Sequence, residues 1–223
     1  MVEGPAEVDR STYTFFSDSI ELAYRSAVTK DLDHSNSMAR YSLLATAHFI
    51  EASANACIES LSLGNGFASD IDKLPFLSKF DLFCRLRRRG ASIDRARHEV
   101  QQVVEIKRVR DLFVHPKAQA VIWEHWSEDE STARCPRTPA LDLPKTPSFC
   151  CADDSVNALR ACHNFMAYVF QALCKSSKTT ASTILFCEDP GFDQSKTVYG
   201  CLSKEIHLWL SSNAISIKYI QVY

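Results

Sequence analysis

RYSLLATAHFIEASANACIESL, residues 40–61, sets the fold class. Its apolar positions are Leu43, Ala47, Ile50, Ala54, Cys57, Ile58 and Leu61. Steps of three and four return to one side of an α-helix, so the segment reads as a helix with one buried face. Ser35 and Asn36 are candidate N-caps, because their side-chain oxygens can accept from the first free backbone N–H groups. Gly64, Asn65 and Gly66 stop the helix after about Leu63, since these residues tolerate left-handed conformations.

The same period continues on both sides. Residues 13–28 predict a first helix. Pro75 opens a third over roughly 76–88, and Gly90 ends it. Ser92 is placed to cap a fourth helix through about Val114, with Ile93, Ala96, Val100, Val103, Ile106, Val109 and Phe113 along one side. Pro116 closes it, because the residue before a proline is pushed out of the helical region. His115 therefore falls at the helix end. Residues 127–150 hold four prolines among Ser and Thr and read as one long loop. Asp153 and Asp154 then cap a last strong helix to about Cys174.

Beyond residue 178 the helical period fades. TILFC (183–187) has strand character, HLWL (207–210) fits helix or strand, and ISIKYIQVY (215–223) partly alternates. The expected architecture is mainly α: a helical domain over 1–177 and a small mixed α/β C-terminal appendage over 178–223.

Composition narrows the function. The 223 residues are 46% hydrophobic and 23% charged, enough for a real core and too apolar for wholesale disorder. Net charge is −2, which excludes a uniformly basic coat. Yet residues 79–117 hold 11 basic and 5 acidic side chains. Arg87, Arg88, Arg89, Lys107, Arg108 and Lys117 are the candidate phosphate-binding residues of that stretch. Its plainer reading is the solvated surface of two helices. No run reaches the roughly 18–20 apolar residues that cross a bilayer. The start MVEGPAEVDR has no basic region followed by an apolar stretch, so a cytoplasmic protein is expected. Nine cysteines with no CxxC pair read as reduced thiols. There is no P-loop, no GxGxxG and no metal-ligand spacing, so neither cofactor nor metal is expected.

EIKRVRDLFVHPK (105–117) is the segment that suggests chemistry. Arg110 and His115 stand five positions apart, with Asp111 directly after the arginine and Leu112, Phe113 and Val114 completing the spacer. These residues resemble the HEPN superfamily, all-helical domains with a signature of Arg, four to six residues, then His. The likeness extends to 40–61, where Glu51 and Asn55 interrupt the apolar face, and to Lys79 in the third helix. It covers roughly residues 13–175. The resemblance implies a metal-independent endoribonuclease of defence or toxin type. It implies RNA as substrate, a homodimer with both Arg/His pairs in one cleft, and an antitoxin or nucleotidyltransferase as a further partner. It also admits non-catalytic members that bind RNA or a partner protein.

The side chains suit that reaction. RNA carries its own nucleophile, the 2′-OH. A histidine with an ordinary pKa near 6.5 moves protons near neutral pH. Arginine stays charged and offers planar, bidentate donors to phosphate. His115 would be the general acid or base and Arg110 would stabilise charge on the phosphate. Asp111 would orient one of them, and Glu51 would hold Arg110. Five helical residues set Arg110 and His115 about 140° apart around the axis. Convergence then needs fraying at Pro116 or a second subunit. The bland alternative pairs Arg110 with Asp111 or Glu51 and lets His115 cap its helix.

Other clusters carry less. Trp123 and Trp126 flank His125 and are expected to pack beside the core. Cys162 and His163 are neighbours about 100° apart on a helix, which is no thiol–imidazole pair. His98 and Glu99 lack an HExxH context, and His48 borders the apolar stripe of its helix.

Overall fold

The computed structural model describes residues 10–64, 70–125, 127, 131–188 and 198–223. Helix α1 is Thr12–Val28 and α2 is Leu32–Glu59. They form an antiparallel hairpin whose seam is lined by small hydroxyl residues. Ser26 and Ser35 each donate to the other's carbonyl (2.8 and 2.7 Å), and Ser42 donates to the Ser19 carbonyl at 2.7 Å. Each of these three buried hydroxyls finds a backbone acceptor, so the two helices approach closely with these groups paired. The α2 N-cap is Asp31, which accepts from the His34 N–H at 2.9 Å, in place of the predicted Ser35 or Asn36. Ser35 is a turn inside the helix and serves the seam.

Helix α3 is Phe76–Arg87 and α4 is His98–Val114. Gly90 between them has φ +80°, a left-handed conformation that glycine adopts freely. The predicted cap of α4 at Ser92 is five residues early, the N-cap position being Arg97. Ile93 gives its N–H to the Asp81 carboxylate (2.7 Å) and Asp94 gives its N–H to the Tyr168 hydroxyl (3.2 Å), and this holds 91–97 out of the helix. Ile93 is buried all the same, which is why it mimics the helical stripe, whereas Ala96 is exposed.

Strands β1 (Ile122–His125) and β2 (Ser131–Arg134) pair antiparallel, with Trp123 opposite Ala133. This small sheet lies at the start of the proline-rich segment, not in the C-terminal tail. A short 3-10 turn, Pro147–Phe149, leads into α5, Ala152–Ala167. Cys151 is the N-cap residue, and Asp154 reaches back to accept its N–H at 2.8 Å. The helix continues as a π-helical turn, Tyr168–Leu173.

The tail is helical where TILFC suggested a strand. Helix α6 is Lys178–Phe186, capped by Ser177, whose hydroxyl accepts from the Thr180 N–H at 3.0 Å. Thr183, Ile184, Leu185 and Phe186 are all buried. A short helix enclosed on every side shows a continuous apolar run, which periodicity cannot tell from a strand. HLWL lies in α7, Lys204–Ser212. Residues 215–223 form no ladder, only a bridge between Gly200 and Val222.

The fold is mainly α, with α2 at the centre against α1, α3 and α5. One hydrophobic cluster joins Phe16, Phe49, Phe80 and Phe165 of the helices with Leu185, Leu210 and Tyr219 of the tail. The described residues of 178–223 therefore help to build the same core. Residues 65–66 of the predicted α2 stop, 1–9 and 189–197 lie outside the described residues.

Candidate functional site

Glu51 and Asn55 lie one turn apart on α2 and each holds a cation from a neighbouring helix. Arg110 of α4 donates from Nη2 to the Glu51 carboxylate. Its Nη1 is 3.2 Å from the Asp111 carboxylate, which also takes the Lys107 ammonium at 2.8 Å. The Arg110 side chain is only 16% exposed, and its Nε is buried with no hydrogen-bond partner. Lys79 of α3 donates from Nζ to Asn55 Oδ1 at 2.7 Å and to Asp72 at 3.1 Å, with its side chain 7% exposed. Glu51, Arg110 and Asp111 are thus one connected group, and the Lys79 pair stands beside it.

His48 lies one turn before Glu51 and stacks on Phe15, ring centroids 5.2 Å apart. It lines a shallow cavity with Glu51, Asn55 and Glu59.

His115 is the C-cap residue of α4, and its N–H donates to the Asp111 carbonyl at 2.9 Å. The residue is exposed and lines a cleft of about 760 Å³ between α4 and the turn at 138–145. Arg108, Asp111, Lys117, Thr138 and Lys145 share that cleft. Arg110 does not line it, because its guanidinium turns the other way, onto α2. The two side chains diverge within the chain, although His115 has left the helical conformation at φ −120°, ψ 67°. Asp111 alone belongs to both places.

The cleft's far wall is pinned to α4. Glu105 is buried, and its carboxylate accepts from the Ala140 N–H (3.0 and 3.1 Å) and the Leu141 N–H (2.9 Å). Arg137 adds a tie to the buried carboxylate of Asp154. The described part of the proline-rich segment is therefore anchored on the helices. Glu105 spends its charge on backbone donors and Asp111 spends its charge on Lys107 and Arg110. Arg108, Lys117, Lys145 and His115 then give the cleft a basic lining.

Residues 79–117 do not form one basic surface. Arg88 donates to the Leu173 carbonyl at 3.0 Å, and Arg87 lies 5.5 Å from the Phe83 ring. Both belong to the π-helix end of the molecule, where Asp94 and Arg97 also meet Tyr168. The connector 88–97 turns the chain back there, so Arg87, Arg88 and Arg89 lie at the opposite end of α4 from His115. At 1.5 Å per residue that helix is about 25 Å long. Only Arg108 and Lys117 of the predicted basic set line the His115 cleft. Lys145 was missed by sequence reasoning: it comes from a distant segment, between Pro144 and Pro147, with no pattern to mark it.

Trp123 is 60% exposed, not packed beside the core, because β1 is a strand of a two-stranded ribbon with little to cover it. Trp126 and the side chain of His125 lie outside the described residues. His163 is fully buried on α5, its Nδ1 3.0 Å from the Tyr219 hydroxyl. Burial drives its pKa down to about 3, so the ring is neutral, and burial pushes the adjacent Cys162 thiol well up. Neither group is available as a base or nucleophile at neutral pH. Among the described residues, no helix is long and apolar enough to cross a membrane, and no three His, Cys, Asp or Glu side chains are grouped to hold a metal ion.

No known protein family, curated protein or solved structure matches this chain.

Proposed function

We propose that the chain is one protomer of a dimeric, metal-independent endoribonuclease of the defence or toxin kind, similar in plan to the HEPN superfamily. The observation that carries the reading is the arrangement around α4. Arg110 is fixed by Glu51 and Asp111, and His115 opens one step further into a basic cleft. Arg108 and Lys117 would hold the RNA backbone there. The 2′-OH attacks its own phosphorus and the bond to the 5′ oxygen breaks, leaving a 2′,3′-cyclic phosphate and a 5′-hydroxyl. His115 moves the proton and Arg110 stabilises the charge on the phosphate. The two side chains diverge within one protomer, so the complete site takes Arg110 from one copy and His115 from its partner. An antitoxin or nucleotidyltransferase would restrain such an enzyme in the cytoplasm.

The test is cleavage of mixed single-stranded RNA in EDTA. Wild type should leave cyclic-phosphate ends, and Arg110→Ala and His115→Ala should each lose cleavage while remaining folded dimers by light scattering. Mixing the two inactive variants should restore part of the activity, because each mixed dimer rebuilds one site. Cleavage retained in both variants overturns the enzyme. A second reading has its own support, since Arg110 is already matched by two carboxylates. In that reading the chain is a non-catalytic module that binds RNA or a partner protein. Binding would then weaken with salt and with neutralisation of Arg108 and Lys117, and His115→Ala would change little.

A further inference from the structure

Two cysteines 90 residues apart meet where α3 and the π-helical turn end. Cys84 lies on the buried side of α3, and Cys174 is the residue that ends the turn Tyr168–Leu173. Their Sγ atoms are 3.5 Å apart. Cys84 is fully enclosed, whereas Cys174 is half-buried and reachable from solvent. Arg88 donates to the carbonyl just before Cys174 and so stations its charge beside that thiol. The π turn is held by the Cys174 N–H on the Val169 carbonyl (3.0 Å) and the Ser176 N–H on the Phe170 carbonyl (2.8 Å). Single π turns of this kind recur at functional positions.

The two thiols are not equivalent. The sulfur–sulfur hydrogen bond with Cys84 holds the Cys174 thiol below its ordinary pKa, with Arg87 and Arg88 acting in the same direction against the cost of partial burial. The same hydrogen bond, together with burial, pushes Cys84 up. Thiolate character and access select the sulfur that reacts. Cys174 has both, and Cys84 is a protonated thiol in contact behind it.

We infer that Cys84 and Cys174 are a peroxide-reactive dithiol that closes to a disulfide. The Cys174 thiolate attacks one oxygen of hydrogen peroxide, the O–O bond breaks, and the departing hydroxide takes a proton to become water. Cys174 is then a sulfenic acid. The Cys84 sulfur attacks the Cys174 sulfur, the S–S bond forms and the S–O bond breaks. The Cys84 proton leaves with that hydroxide as a second water. Two thiols lose two electrons and two protons, and one peroxide becomes two waters. The sulfurs must close by about 1.5 Å to reach bonding distance. The bond would tie the arginine-bearing end of α3 to the end of α5, away from the His115 cleft. It stands independently of the ribonuclease reading.

The experiment is hydrogen peroxide treatment of the full-length folded protein, followed by acid quench, alkylation and peptide mapping. A peptide linking Cys84 to Cys174 should appear, and its two thiols should be missing from the alkylated set until a reductant is added. Mapping separates this from the exposed Cys201 and from Cys135, which is half-buried like Cys174. Cys84→Ser should instead leave a sulfenic acid on Cys174 that a dimedone probe captures, and Cys57→Ser should leave the link unchanged. Two outcomes overturn the inference. One is Cys84 and Cys174 both alkylated after peroxide. The other is Cys174 joined to Cys57 or oxidised past sulfenic acid with Cys84 still free.

Discussion

The two sides of α2 treat ionisable groups in opposite ways. Toward α3 and α4, Glu51 and Asn55 hold the side chains of Arg110 and Lys79, each with an acceptor in contact. Toward α1 and α5, Phe49 packs against Phe16 and lies 6.1 Å, centroid to centroid, from His163. There the imidazole has no carboxylate, only the Tyr219 hydroxyl on Nδ1 and nothing on Nε2. An enclosed base without a counter-charge gives up its proton, and one with a counter-charge keeps it. The same helix thus builds a wet, charged face and a dry, neutral one suited to packing.

The dry side should yield the largest effect. Tyr219 is fully buried, stacked on Phe170 with ring planes 10° apart, and bonded to His163. Tyr219→Ala should cost about 3–5 kcal/mol, the usual loss for deleting a buried ring. Urea unfolding reads this as a lower midpoint with an unchanged slope. A loss under about 1 kcal/mol would mean that the tail is not part of the core.

That dependence was hidden in the sequence for a physical reason. Helices α2 and α3 were legible because α2 shows one apolar face and α3 is bracketed by Pro75 and Gly90. The start of α4 was not, because Ile93 is buried by tertiary bonds to Asp81 while lying outside the helix. The tail was misread because α6 is enclosed all round, which erases its period. At the site, a pairing of Arg110 with Asp111 or Glu51 was open as a match of opposite charges, and Glu51 entered through the resemblance, since no spacing links residues on different helices. The split of the basic stretch was not legible, because it depends on where the connector 88–97 folds back.

Acid should expose the next difference. His163 has a pKa of about 3 in the folded chain against 6.5 unfolded. Above pH 6.5 both states leave it neutral. As pH falls below that, the unfolded chain takes a proton that the native state refuses, so stability drops until about pH 3. The slope for one proton is about 1.4 kcal/mol per pH unit, or about 2 kcal/mol lost between pH 6.5 and 5. In this window the thermal midpoint should fall by roughly 4–8 °C. His163→Gln should flatten the dependence. Asp81, where partial burial is outweighed by the Ile93 N–H and Arg85, and Glu99, lowered by its bond with Arg97, add losses only at lower pH. An equal slope in wild type and His163→Gln would place the acid sensitivity elsewhere.

The wet side should give the smallest loss and a lopsided one. Glu51→Ala leaves the Arg110 guanidinium enclosed with Asp111 as its remaining carboxylate, while its Nε already lacks a partner. Arg110→Met removes the buried charge and leaves Glu51, about a third exposed, free to meet water. Stranding a charge costs more than removing it. Glu51→Ala should therefore lose about 1–2 kcal/mol, reduced from the fully buried case by solvent screening, and Arg110→Met about half of that or less. Urea midpoints of the two variants and of the double variant decide the matter. If the double variant is as stable as Arg110→Met alone, Glu51 exists to hold the arginine. If the two losses simply add, Glu51 and Arg110 act apart, and the fixed cation on which the proposed chemistry depends is not fixed by α2.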